Sequence, residues 1–153
     1  MKILFKFVLY FFIFTNIANA DLVKPNSNLK PFDVFMIQLN SLKNNNSPYK
    51  DAGIEQTWEF AHPNNQKNTG PLERFKNMIK GDSYKMLLNH LDHKIIQISS
   101  SDLISLFEVT ILDKNKTYYK FNWQVEKYTK KGSLEDCWLT TMVSAPISLG
   151  SSI

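Results

Sequence analysis

The chain is poor in cysteine and glycine, with one Cys and 5 Gly among 153 residues. A lone Cys137 cannot close an internal bridge, which excludes a disulfide-stapled scaffold. So few glycines leave no phosphate-cradling loop. No low-complexity segment and no internal repeat divides the chain. A strong charge of either sign is also missing: 18 Lys+Arg stand against 14 Asp+Glu, a formal +4. That balance is no argument for nucleic acid or an anionic membrane, and no nucleic-acid partner is expected. Aromatic residues, in contrast, are plentiful. Three Trp, 6 Tyr and 11 Phe exclude a wholly disordered chain, and the length suits one domain.

Long apolar runs are absent after the first twenty residues. Lys2 and Lys6 flank a basic start, and Phe7 to Phe14 is uncharged and apolar. Ala18-Asn19-Ala20 then places small residues where a signal peptidase cuts. This is the three-part pattern of a secretory signal peptide. Its apolar segment, about 11 residues, falls short of the roughly 20 a spanning helix needs. Residues 1–20 are therefore expected to be cleaved and the protein exported, to a periplasm, the exterior or a lumen. Loss of Lys2 and Lys6 would bring the charge to +2. No membrane span is expected afterwards.

In the mature chain, 21–30 reads as a flexible lead-in, 31–145 as a single domain and 146–153 as a flexible tail. Phe35, Leu39 and Leu42 recur at i, i+4 and i+7 after Pro31, the face of a first helix. Ile54, Trp58 and Ala61 repeat that spacing in a second helix, which Pro63 closes. Asn64 to Gly70 reads as an exposed loop. Leu72, Phe75 and Ile79 mark a third helix, with Gly81 placed for a left-handed cap. The period then changes to two. Tyr84, Met86 and Leu88 alternate as a strand, Lys94 to Ser99 forms another, and Leu103 to Ile111 a third. Asp113 to Lys116 is a hairpin turn. Tyr119, Phe121, Trp123 and Val125 share one face of a long strand. A final strand carries Cys137, Leu139, Thr141 and Val143 inward. Three helices followed by about four or five antiparallel strands predict an α+β fold with the helices on one sheet face. Strands longer than the usual 5–6 residues must bend, so the sheet is expected to curve strongly.

That order, and several local motifs, resemble a bacterial and plant-plastid family classed as a domain of unknown function. The family belongs to the nuclear-transport-factor-two-like superfamily of cone-shaped folds. The motifs are Gln38-Leu39-Asn40-Ser41-Leu42-Lys43, Asp51-Ala52-Gly53-Ile54-Glu55, Trp58-Glu59-Phe60-Ala61, Glu73-Arg74-Phe75 with Met78-Ile79 and Tyr84, and Trp138-Leu139-Thr140. The similarity covers about Pro31 to Val143. It implies a cone with an open mouth and no activity that transfers. Other folds of the superfamily run isomerase and dehydratase reactions with an Asp or His beside Tyr donors.

On this resemblance the cone lining is expected to include Glu55, Trp58, Tyr84, Tyr119 and Trp123. Glu55 has a structural alternative, locking helix to helix through Arg74 or a backbone amide. Acid–base chemistry would need a carboxylate or imidazole in an apolar pocket. Glu108 and Glu126 are the candidate carboxylates, but both sit among polar neighbours. His90 and His93 flank Asp92 and read as a solvated hairpin tip, so no metal is expected. Cys137 reads as a small buried hydrophobe. Lys127, Lys130 and Lys131 form a solvated cluster at a turn. Asn45-Asn46-Ser47 and Asn115-Lys116-Thr117 fit the glycosylation pattern, which acts only in a eukaryotic secretory route. No cofactor is expected. The residues favour a non-catalytic exported module that holds a small apolar ligand or pairs as a homodimer through its sheet. The alternatives are an isomerase- or hydrolyase-type enzyme and a structural partner in an envelope complex.

Overall fold

The computed structural model describes residues 21–151. The expected signal segment, 1–20, lies outside the described residues. The fold is α+β: helices α1 (Pro31–Lys43), α2 (Ala52–Glu59), α3 (Pro63–Thr69) and α4 (Leu72–Lys80), then a five-stranded antiparallel sheet. The strands are β1 (Asp92–Ser100), β2 (Ile104–Leu112), β3 (Thr117–Lys127), β4 (Trp138–Val143) and β5 (Ile147–Ser151). Among the described residues, no helix is long and apolar enough to cross a membrane.

Helix α1 forms where its apolar spacing predicts. Pro31 opens it, and the Asp33 carboxylate accepts the Lys30 N–H at 2.9 Å. Val34, Phe35, Gln38, Leu39 and Leu42 are buried along one broad face. Helix α2 packs closely on α1 because Gly53 has no side chain. A Cβ there would lie 2.0 Å from the Ser41 carbonyl oxygen.

The sheet order is β1-β2-β3-β4, with β5 on the same flank of β3 as β4. Alternation fixes the register. Phe107, Val109 and Ile111 of β2 and Phe121, Trp123 and Val125 of β3 are all buried on the helical side. A slip of one residue would turn this whole set to solvent. Ladder shifts lie between Gln97 and Ser99, Tyr118 and Tyr119, and Gln124 and Val125. Such bulges bend strands and tighten their twist.

Several expectations are corrected. Among the described residues there are four α-helices rather than three. Pro63 ends α2 but also opens α3, so the polar stretch read as a loop is helical. Residues Lys85–Leu87 form a 3₁₀ turn instead of a strand, and Leu87 is the buried residue there. Gly81 ends α4 with φ −73°, an extended conformation and no left-handed cap. The segment 146–153, read as a frayed tail, contributes β5. The lead-in is fastened as well. The Gln56 side chain accepts the Val23 N–H and donates to the Val23 carbonyl, both at 2.8 Å. On β4 the bulge shifts the pattern within the strand: Val143 pairs with Trp123 and points inward as expected, but Thr140, read as outward, pairs with Val125 and points inward too.

Candidate functional site

A hollow of about 260 Å³ lies between the helices and the β3–β4 end of the sheet. Helix α1 supplies Gln38 and Leu42, α2 and its exit Thr57 and Ala61, and α3 Asn65 and Thr69. Helix α4 contributes Phe75, Met78 and Ile79, and the following turn Tyr84 and Leu87. The sheet closes it with Trp123 of β3 and residues 140–143 of β4.

The wall is held by a buried chain of neutral hydrogen bonds. Trp123 Nε1 donates to Thr140 Oγ1 at 3.0 Å, and that hydroxyl donates to Gln38 Oε1. Gln38 Nε2 donates to the Thr57 carbonyl at 3.0 Å, and Thr57 Oγ1 to the Gly53 carbonyl at 2.8 Å. On the far wall Asn65 Nδ2 donates to the Thr140 and Thr141 carbonyls at 3.0 and 2.9 Å. The Tyr84 hydroxyl donates to the Val143 carbonyl at 3.2 Å. Buried polar atoms without partners cost about 1–3 kcal/mol each. Among the described residues no buried side-chain nitrogen or oxygen lacks a partner. The hollow is therefore a stable neutral surface. Tyr84 is its one titratable lining residue, and no carboxylate, imidazole or amine faces it among the described residues.

Of the five side chains expected to line a cone, the structure brings Tyr84 and Trp123 to this hollow. Trp58 is half-buried against Phe75, with ring centres 5.0 Å apart. Its carbonyl accepts from Gln66 Nε2 at 2.9 Å, and neither residue lines the hollow. Tyr119 borders a separate polar cleft with Lys80, Lys85 and Asp113. Glu55 takes the structural alternative with a different partner. It pairs with Lys76 of α4 at 2.8 Å, not Arg74, and accepts the Tyr49 hydroxyl at 2.7 Å. The Lys76 ammonium holds Glu55 below the usual carboxylate range against the opposing effect of burial. In the same way Lys80 and Asn45 outweigh burial at Asp51 and hold its carboxyl low.

The remaining candidates sit away from the hollow. Glu108 pairs with Lys120 at 3.2 Å, and Glu126 accepts from Gln124 and Thr141. His62 packs on Tyr128, and burial lowers its pKa. Cys137 is buried, and burial pushes its thiol up, which disfavours the nucleophilic thiolate. His90 corrects the solvated-tip reading: it is 2% exposed and bonded to His93. Among the described residues no group of three or more His, Cys, Asp or Glu could hold a metal ion. Asn45 is buried and its side-chain oxygen accepts the Ile54 N–H, so the first glycosylation pattern is closed by the fold.

Sequence reasoning missed Gln38, Asn65 and Thr140. Gln38 had a signal, since it stands four residues from both Val34 and Leu42, inside the buried stripe. Asn65 had none. No protein-family model, curated protein or solved structure matches the chain.

Proposed function

We propose that the protein is an exported, non-catalytic binding module for a small neutral apolar molecule, built on a cone of the nuclear-transport-factor-two-like kind. The hollow carries this reading. Its walls are largely apolar, and its polar groups are already satisfied by one another. A charged headgroup would find no counter-charge there and would be costly to desolvate. A neutral apolar guest gains from leaving water. The volume lies just under the roughly 300–1,000 Å³ of drug-sized sites, so the guest is about the size of a fused pair of rings. The helical cover on one face of a bulged antiparallel sheet supports the cone. The signal pattern supports export.

The enzyme alternative needs a dry carboxylate or imidazole beside a tyrosine. Tyr84 is present in the hollow without such a neighbour, which weighs against it. Self-association through the sheet has one observation in its favour. Ile96, Ile104 and Tyr118 on the solvent face are 45%, 43% and 38% exposed.

Titration calorimetry with naphthalene, a neutral bicyclic probe, tests the main reading. Saturable one-to-one binding is expected, with methyl resonances of Leu42 and Leu87 shifting in parallel. Absence of heat and of methyl shifts would sink it. Light scattering of the purified protein tests self-association, and a strict monomer at high concentration would end that second reading.

A further inference from the structure

Leu87 forms part of the hollow's wall, and its carbonyl is also one end of a histidine pair in which His90 is buried and His93 half-buried. His90 Nδ1 lies 2.8 Å from the Leu87 carbonyl oxygen. A carbonyl only accepts, so His90 Nδ1 carries the hydrogen and its Nε2 has a lone pair. His93 Nδ1 lies 2.9 Å from that Nε2 and must therefore be the donor. Both tautomers are thus fixed, and the free lone pair of the pair sits on His93 Nε2. The same turn hangs on α1 through Asn89, whose N–H donates to the Leu42 carbonyl at 2.8 Å. Leu42 is another wall residue.

This geometry accepts one proton and not two. The first goes to His93 Nε2 and leaves its Nδ1–H donating to His90. A second must go to His90 Nε2. Two N–H groups would then face each other across the former 2.9 Å bond, with two positive rings side by side, one of them buried and the other half-buried. We propose that the His90–His93 pair is an acid-operated latch, which on its second protonation parts and unties the turn carrying Leu87, with His90 still bonded to its carbonyl, from β1 at His93.

The groups facing the pair set its balance. Lys43, ending α1, opposes each added proton, and Asp92, opening β1, favours it. The 3₁₀ turn offers the Leu87 carbonyl, and β2 places the apolar Ile111 opposite His93. Burial pushes His90 down to about 4, with the Leu87 bond opposing and His93 and Lys43 adding to the fall. A histidine with a depressed folded pKa contributes its stability above the ordinary value near 6.5. That stability is lost as pH falls from there toward about 4.

Methyl NMR of the mature chain between about pH 7 and about pH 4 tests the latch by following Leu87. In the native protein the Leu87 methyls are expected to shift as His90 takes its proton, after His93 has already titrated. His93→Gln is the decisive variant. Its amide can turn to offer either N–H or oxygen to His90, so the pair survives protonation and the Leu87 shift is lost. His93→Asn serves as a second variant should the first fail to fold. A native Leu87 that ignores pH overturns the latch, as does a glutamine variant that still responds. The consequence for a guest rests on the binding reading above. Naphthalene affinity is expected to fall on the order of tenfold over the same pH range in the native protein only. If naphthalene fails to bind at neutral pH while Leu87 still responds, the binding reading falls and the latch stands.

Discussion

The interior has two halves built against the same sheet, one filled and one hollow. Under β2 and the middle of β3, Phe35 stacks on Phe107 at 4.7 Å and meets the edge of Trp123 at 5.5 Å. Phe32 closes that cluster at 5.9 Å from Phe107. Under β4 the inward positions bordering the hollow are Thr140 and Val143, and α2 and its exit face them with Thr57 and Ala61. Small side chains there leave space that aromatic rings fill a few ångströms away. Helix α1 serves both halves, with Phe35 toward one and Gln38, one turn on, toward the other. The inward side chains of β4 and α2 at the hollow are smaller than the rings of the filled half. The hollow is therefore written into a handful of positions, and each half can be tested by itself.

The largest effect is expected in the filled half. Phe107→Ala removes a fully buried ring and should cost about 3–5 kcal/mol in urea unfolding. A loss below about 1 kcal/mol would show that the aromatic cluster is not the main support of the sheet. Thr140→Val comes next. It keeps the shape but strips the hydroxyl that serves both Gln38 and Trp123, leaving a buried acceptor and a buried donor without partners. Destabilisation of about 1–3 kcal/mol is expected, with the Phe35–Phe107 contact shifts unchanged. Spread of the shifts into that cluster would mean the halves are not separable. The smallest effect on stability should come from Ala61→Leu, which grows into the hollow. A gain of about 0.5–2 kcal/mol is expected, together with loss of naphthalene binding. Binding that survives this substitution would place the probe elsewhere.

The filled half is also the half that can be read from the sequence. Phe35, Leu39 and Leu42 announce α1, and the strict alternation from Phe107 to Val125 announces β2 and β3. These segments are long, and one face of each is almost wholly apolar, so period alone decides them. The hollow half is much less legible. Helix α3, Pro-Asn-Asn-Gln-Lys-Asn-Thr, buries no residue and carries no apolar stripe. Tyr84, Met86 and Leu88 alternate like a strand, yet a single turn delivers Leu87 inward. On β4 the bulge beside Gln124 changes which residues face in, and no residue type announces it. Tyr84 and Trp123 were found because large aromatics on apolar stripes point inward. Thr140 and Gln38 were missed because polar residues are read as outward, and only the network they form makes them tolerable inside. Glu55 was drawn to the wrong place by its position in a motif, when Lys76 of α4 was its partner.

The flank of β3 opposite β2 is covered by two short strands in tandem instead of one long one. Ser144 is the splice between them. Its N–H goes to the Asn122 carbonyl and its hydroxyl accepts the Asn122 N–H, each at 2.9 Å. That single serine serves both backbone groups of the residue at the joint, so β4 ends without needing β5 to hold it. Peeling β5 away would stop at the splice. The part of the sheet that encloses the hollow is thereby mechanically insulated from whatever pulls on, binds to or trims the end of the chain.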